Sequence, residues 1–510
     1  MLRLTAQETA RAVGGRLIAG EEGRLLTHIS LDSRTMKGND LFVPVIGERV
    51  DAHDFICQAL ENGASAVFTS RHRTREDVER AVAEQTGRKA AQGESAPAGD
   101  ANAAAFETGQ AFSGPASQRC LSAAWIAVDD TRRALQALGS YLRDQISIPL
   151  VGVTGSVGKT TTREMAAAAL SAGFRVYKTP GNSNSQVGVP ITLAEIPEDA
   201  RMGVIELGMS EPGEMTRIAR VARVDCAIIT NIGVAHIEQL GSQENILHEK
   251  LCIQDGMPED GVLFLNGDDP LLAAVKIPGR RIVRYGMGDT CDYRCEDLRL
   301  EDGYPVFTAV CAGRRVPVHL RVMGSHMVSN ALASLAVADH FGVDLKAAAR
   351  RLGEFAGYKG RQQIVHAGGL TIIDDSYNAS PASMKAGIEV LCSLPDCGRR
   401  IAVLADMREL GDEAAKFHRE VGAFAAAHPV DCLVLFGELA EEIGAGAAAA
   451  IPCVQYCGTL DEVNAWLDAG LRAGDGVLFK GSNSMGLAGA VKHLLERLEK
   501  QRPAGEIGRK

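Results

Sequence analysis

The residues with the clearest chemical reach lie in one stretch, Leu150-Val-Gly-Val-Thr-Gly-Ser-Val-Gly-Lys-Thr-Thr-Thr162. An apolar run leads into Thr154, Gly155, Ser156, Val157 and Gly158, then Lys159, Thr160 and Thr161, and a helix-like run follows over residues 163–170. This is the pattern of a strand, a phosphate-cradling loop and a helix. Glycine lets backbone N–H groups turn inward around a polyphosphate. Lys159 would reach the outer phosphates, and the Thr160 hydroxyl would sit on Mg²⁺. The helix start adds partial positive charge. The strict motif wants glycine five residues before Gly158, where this chain has Val153. The plain structural alternative is a glycine-rich turn that binds nothing, and the correctly placed Lys-Thr pair argues against it.

Other side chains fall where such a site would need them. Val204-Ile-Glu-Leu-Gly208 sets Glu206 inside an apolar strand, and Cys226-Ala-Ile-Ile-Thr-Asn-Ile232 leads to Gly233-Val-Ala-His236. In a parallel sheet, ligands gather at the carboxyl ends of strands, and both residues are expected on the edge that carries Thr160. A hard carboxylate oxygen suits Mg²⁺, while a histidine nitrogen is a less usual ligand. The alternatives are a surface ion pair for Glu206 and a satisfied loop histidine for His236. Lys250 lies on an expected helix over residues 244–254, where a lone lysine normally faces solvent. Lys178-Thr-Pro-Gly-Asn-Ser-Asn-Ser185 has the polar, aperiodic look of a ligand-facing loop. Arg34, in Asp32-Ser-Arg34, would hold a phosphate or be an ordinary surface arginine, and the residues alone leave the two even.

These groups need elements to hold them. At 510 residues the chain has room for two to four domains. A composition of 46% hydrophobic and 23% charged residues is that of a soluble globular protein, and a net charge of −10 argues against a generally basic nucleic-acid surface. Twelve scattered cysteines form no CxxC pair, so free thiols in a reducing cytoplasm are expected rather than zinc. Met1-Leu-Arg-Leu-Thr-Ala-Gln-Glu lacks the apolar core of a signal peptide, and no apolar run is long enough to span a membrane. Strands alternating with helices give an α/β chain with mostly parallel sheets. The expected division is 1–146, 147–358 and 359–510, with residues 281–321 as an edge sheet. The last part takes strands from 370–381, 400–407, 431–437 and 475–482 and lacks a GxGxxG fingerprint. Residues 87–119, rich in Ala, Gly, Ser and Gln, are expected to be a disordered insertion.

Taken together, these residues resemble the Mur ligases, the ATP-dependent amide-forming enzymes of peptidoglycan synthesis, from about Asp32 to Met485. Thr154-Gly-Ser-Val-Gly-Lys-Thr-Thr161 is similar to the family's phosphate loop, with Val157 where Asn is usual. Gly181-Asn-Ser-Asn-Ser-Gln-Val-Gly-Val-Pro190 and Thr230-Asn-Ile-Gly-Val-Ala-His236 resemble two further family stretches, with Ser185 replacing an Asn in the first. Asp374-Asp-Ser-Tyr-Asn-Ala-Ser-Pro-Ala-Ser-Met384 is similar to the D-alanyl-D-alanine-adding branch, with Ser380 in place of Asn. The signatures of the branches that add diaminopimelate, lysine or D-glutamate are absent. Ala52, Met327, Asn483 and Gly486 also depart from the usual pattern, standing for Gly, Asn, Arg and Glu.

The resemblance implies a three-domain Mur ligase architecture, with a phosphate-loop central domain and a Rossmann-like C-terminal domain. It implies that a substrate carboxylate attacks ATP, and that an amine then displaces phosphate from the acyl phosphate. By carry-over, Lys159, His236 and Lys250 are catalytic. Thr160 and Glu206 hold one Mg²⁺, and His236 a second, with Lys250 carbamylated by CO₂. Asn330, Arg361 and Asp375 contact the adenine and ribose, and Asn378 the D-alanyl-D-alanine. Ser33 and Arg34 face the UDP end of UDP-N-acetylmuramoyl-tripeptide, and Asn182 and Asn184 its phosphate or sugar. A monomeric cytoplasmic enzyme is implied. A folylpolyglutamate synthase-like ligase or a phosphate-loop ATPase without ligase chemistry are the rivals.

Overall fold

The computed structural model describes residues 2–47, 49–93, 115–447 and 450–500. They form two compact units. The first comprises Met1–Ile148, Thr179–Ala200 and Arg217–Arg223. Its sheet runs Arg16–Ala19, Ala124–Ala127, Ala64–Thr69, Asp40–Phe42, His28–Ser30, parallel except for the first pair. The opening helix is Ala6–Ala12, and Thr5 and Glu8 close a reciprocal capping box at its start.

Two stretches expected within 147–358 count with this unit, and packing supplies the reason. Ala194 belongs to the same apolar cluster as Leu135 and Leu138 of the helix Thr131–Gln145, with Val187 and Ile191 against it. The fit is close enough that a Cβ on Gly139 would come within 2.8 Å of Pro190. The expected insertion is helical at both ends. One helix, Arg75–Gly93, runs into it and another, Pro115–Ser122, leads out. Val78, Val82 and Cys120 explain this, since they fill a common core with Trp125 and Phe42. Residues 94–114 lie outside the described residues.

The second unit comprises Pro149–Lys178, Arg201–Thr216 and Val224–Lys510, and it carries two sheets. In the nine-stranded sheet Leu150–Thr154 lies between Met202–Glu206 and Cys226–Ile229, both parallel to it. All three strands are fully buried, as expected of apolar runs inside a parallel sheet. The strands Tyr293–Glu301, Tyr304–Cys311 and Arg314–His319 extend this sheet as an antiparallel edge. The helices Lys159–Leu170 and Met327–His340 share the core beneath it.

The six-stranded sheet runs Gln363–Ala367, Leu370–Asp374, Gly476–Lys480, Arg400–Ala405, Cys432–Phe436, Cys453–Cys457, antiparallel only at its first pair. The sequence reading missed both outer strands, whose half-exposed residues show little apolar signal. Cys432 and Cys453 face each other in register on neighbouring strands. Their partnership depends on strand order, which local spacing does not encode.

Candidate active site

The phosphate loop forms where the sequence expects it. Leu150–Thr154 delivers a buried Thr154, Gly155 and Gly158 take φ of 146° and 84°, and the helix begins at Lys159 without a side-chain cap. An uncapped helix start of this kind points free N–H groups and partial positive charge at an anion. The loop leans on the end of the neighbouring strand. The Ser156 N–H donates to the Asn231 carbonyl at 3.0 Å, the Val157 N–H to Asn231 Oδ1 at 2.9 Å, and the Thr230 hydroxyl to the Val157 carbonyl at 2.5 Å. Position 157 thus takes part through its backbone, which lets valine stand where asparagine is usual. Lys159 folds back, with Nζ donating to the Gly155 carbonyl at 2.8 Å and the Ser156 carbonyl at 3.4 Å. It keeps part of its surface accessible, yet burial pulls its ammonium below the ordinary lysine value, Glu206 opposing and Arg361 adding to the effect.

At Gly155 an added Cβ would run into the Thr230 hydroxyl, and the backbone conformation there excludes L side chains. Gly155→Ala is therefore expected to destabilise the protein by about 1–3 kcal/mol. A urea midpoint unchanged from the native protein would contradict the packing described here.

Around the loop, one group of charges is buried. Thr160 Oγ1 lies 3.4 Å from Glu206 Oε1. The other oxygen, Glu206 Oε2, accepts from Arg163 Nη1 at 3.1 Å, and Arg163 Nη2 donates to Glu164 Oε1 at 2.7 Å. Glu164 is paired in turn with Lys178. Arg163 is completely buried, with its guanidinium 5.5 Å from the Tyr358 ring centre. Lys250, on the helix Gln243–Leu251, is also buried rather than on the solvated face usual for a lone lysine. Burial drives its ammonium well below the ordinary lysine value, the charge of Lys159 adds to this, and Glu249 opposes it.

His236, at φ 64°, stands with Nδ1 2.5 Å from Glu409 Oε2. That contact holds the Glu409 carboxyl below its usual range. Among the described residues no three His, Cys, Asp or Glu side chains gather as a metal cage. Thr160 and Glu206 nevertheless offer adjacent hard oxygens, which fits Mg²⁺, an ion that takes few protein ligands and completes its shell with phosphate and water.

A cavity of about 580 Å³ opens beside the loop, lined by Lys159, Thr160, Thr161, His236, Asn330, Arg361, Asp375 and Asn378. Asn330 Oδ1 accepts from the Thr162 hydroxyl at 3.0 Å. The Arg361 guanidinium lies 4.1 Å from the Tyr377 ring centre, and its pKa is lowered by burial against the pull of Asp375. Asp375 Oδ2 accepts from Lys480 Nζ at 2.5 Å. His326 lines the same cavity, its Nε2 hydrogen-bonded to Gln362 Oε1 at 2.9 Å.

Four candidates belong to the first unit. Ser33 is buried with its hydroxyl donating to Gln58 Oε1 at 2.8 Å. Arg34 is exposed and forms a bidentate pair with Asp32, whose carboxyl it draws down to about 2. Asn182 is exposed and Asn184 half-buried on the loop after Thr179. Arg163, Lys480 and Glu409 were not singled out from the sequence. Arg163 had a usable signal, one helical turn after Thr160, whereas Glu409 lies far along the chain from His236 with no local mark.

Comparison with known proteins agrees with this geometry. Three family descriptions match in succession: the Mur ligase family catalytic domain over residues 25–141, the Mur ligase middle domain over 153–338, and the Mur ligase glutamate ligase domain over 360–483. The UDP-N-acetylmuramoyl-tripeptide–D-alanyl-D-alanine ligase of Bacillus subtilis is 34% identical, the alignment covering 97% of this chain and 99% of that protein. The Escherichia coli ligase of the same name is 30% identical over 87% of this chain and 88% of its own. The crystal structure of MurF from Acinetobacter baumannii superposes with a TM-score of 0.79 at 28% identity, covering 97% and 99% of the two chains. That of the Thermotoga maritima MurF ligase in complex with ADP gives 0.74 at 27%, covering 93% and 98%. The chain belongs to the Mur ligase family, in the branch of the UDP-N-acetylmuramoyl-tripeptide–D-alanyl-D-alanine ligases.

Proposed function

We propose that this chain is an ATP-dependent ligase that joins D-alanyl-D-alanine to UDP-N-acetylmuramoyl-tripeptide, yielding the pentapeptide precursor of peptidoglycan. One arrangement supports the reading. A phosphate loop with an uncapped helix start shares a cavity with Arg361, Asp375 and Asn378, so nucleotide and incoming amine meet in one place. The domain division 1–146, 147–358 and 359–510 assigns the UDP-substrate, the ATP and the closing C-terminal part respectively. The enzyme acts as a monomer in the cytoplasm, and among the described residues no helix is long and apolar enough to cross a membrane.

In the first step a carboxylate oxygen of the tripeptide attacks the γ-phosphorus of ATP, the bond to the bridging oxygen breaks, and ADP leaves. In the second the dipeptide amine attacks the acyl carbon, inorganic phosphate leaves, and the amine gives up a proton. Both partners of the first step are anions, so positioning and charge neutralisation carry most of the catalysis. Lys159 exchanges its two carbonyl partners for phosphate oxygens, and Thr154 to Thr161 cradle the polyphosphate. Asn330, Arg361 and Asp375 hold the adenosine, Asn378 orients the dipeptide, Ser33 and Arg34 hold the UDP end, and Asn182 and Asn184 contact its phosphate or sugar. Thr160 and Glu206 would hold one Mg²⁺, and His236 with a carbamylated Lys250 a second, and ions held there would supply charge neutralisation for the phosphates. Excluding water from the cavity protects the acyl phosphate from hydrolysis.

Carbamylation needs a neutral amine, and the buried Lys250 is held in that direction. CO₂ adds to the amine, a proton leaves, and the side chain becomes an anion able to bind metal. With carbon-13-labelled bicarbonate, the native protein is expected to show a carbamate carbon resonance that Lys250→Ala lacks. A spectrum identical in the two proteins would remove the carbamate from the scheme.

The reaction is tested by phosphate release from ATP and Mg²⁺ with UDP-N-acetylmuramoyl-tripeptide, adding D-alanyl-D-alanine, D-glutamate, lysine, diaminopimelate or no amine. Release that requires D-alanyl-D-alanine, with a pentapeptide product, is expected. Release with another amine would move the chain to a sister branch. Release indifferent to amine and sugar nucleotide would leave an ATPase.

A further inference from the structure

The turn over residues 375–378 carries two residues given above to different ligands, Asp375 to the nucleotide and Asn378 to the dipeptide. A single side chain from the strand next in the sheet, about a hundred residues further along the chain, ties its two ends together. Lys480 ends the strand Gly476–Lys480 and is 2% exposed. Its Nζ donates to Asp375 Oδ2 at 2.5 Å and to the Asn378 carbonyl at 3.0 Å. The same strand end grips the turn twice more. The Asp375 N–H donates to the Phe479 carbonyl at 3.1 Å, and Asn483 Nδ2 donates to the Tyr377 carbonyl at 3.2 Å. The ring of Tyr377 carries the Arg361 guanidinium.

Chemistry narrows what this lysine does. An ammonium has three donors and no acceptor, and here two of them are directed at opposite ends of one short turn. Burying a charge is unfavourable unless a partner and further hydrogen bonds meet it, and Asp375 and the Asn378 carbonyl supply both. Lys480 also lines the cavity, so its neighbours are the groups that ligands would touch. A movement of Asp375 on binding a ribose would pass to Asn378 through the one buried ammonium that both accept from.

We infer that Lys480 is a positioning residue that couples the nucleotide and dipeptide sites, holding Asp375 and Asn378 in one geometry so that each ligand favours the arrangement the other needs. The inference rests on the ligase reading above and deepens it. By linkage the effect is reciprocal, since each ligand must tighten the other by the same factor.

Calorimetric titration of the full-length protein with D-alanyl-D-alanine, with and without saturating ADP, tests it. The native protein is expected to bind the dipeptide about 10-fold more tightly with ADP present. In Lys480→Met that ratio is expected to fall to about one, and KM for ATP and for D-alanyl-D-alanine to rise together by about 10-fold, with KM for the UDP-tripeptide little changed. Lys480→Arg, which keeps the charge, should retain part of the ratio. A lysine that merely supports the fold would lower Tm and leave the ratio intact. A preserved ratio in Lys480→Met, a native ratio of one, or a KM change confined to ATP overturns the inference. If Lys480→Met does not fold, Lys480→Gln, which keeps a donor for the Asn378 carbonyl without the charge, is judged by the same ratio. Native protein with no D-alanyl-D-alanine-dependent phosphate release would instead fail the ligase reading itself, a result seen before any variant is made.

Discussion

Lys159→Met is expected to lower kcat by about 10³-fold while leaving the protein folded. The phosphoryl step brings two anions together, and cations aimed at the transferring group are where such enzymes gain most of their rate. Methionine nearly matches the length of lysine, so the loop keeps its packing and loses the charge. The structural cost is small, because what disappears is a pair of hydrogen bonds from Nζ to the carbonyls of Gly155 and Ser156. At roughly 1 kcal/mol each these do not threaten the fold. Single-turnover formation of ADP measures the chemical step directly. Near-native kcat in a folded Lys159→Met protein would mean that the loop does not act on the transferred phosphate.

The second large effect is on stability. Arg163→Met is expected to cost about 3–5 kcal/mol, because it leaves two carboxylates, Glu206 and Glu164, buried without the cation between them. Arg163 has no exposed surface, so water cannot replace it. A surface ion pair would contribute no more than about 1 kcal/mol, so the magnitude separates the two cases. The check is the shift in urea midpoint at unchanged slope. Adding Glu206→Gln should recover part of the loss, since it removes the carboxylate that Arg163 neutralised while Glu164 keeps Lys178, and the double-mutant cycle measures that coupling. A loss below about 1 kcal/mol would mean that Glu206 does not depend on Arg163. If Thr160 and Glu206 hold Mg²⁺ as proposed, the same replacement should weaken that binding, because Arg163 holds one oxygen of Glu206 and leaves the other toward Thr160.

The two halves of the candidate site differ in how readable they were. The phosphate loop was legible because its requirements are local: glycines at 155 and 158, an apolar strand before them, and Lys-Thr at the helix start. The buried strands around it were legible for a related reason, since a strand covered on both faces must be apolar along its whole length. The outer strands Gln363–Ala367 and Cys453–Cys457 were not legible, being half exposed and lacking that pattern. Residues 87–93 and 115–119 misled by composition, for their helices are held by a few apolar residues just outside the biased stretch.

The sequence by itself determined the family and the strand-loop-helix built on the phosphate-loop pattern. Each of these is written in the spacing of neighbours along the chain. Only the tertiary structure decided which charges meet. It put Lys480 between Asp375 and Asn378, set Glu409 against His236, enclosed Arg163 between two glutamates and buried Lys250. A charged residue has the same appearance in a sequence whether it ends in water or in a core. What separates the two is desolvation and the partner that offsets it, and that partner is brought close by the order of strands in a sheet.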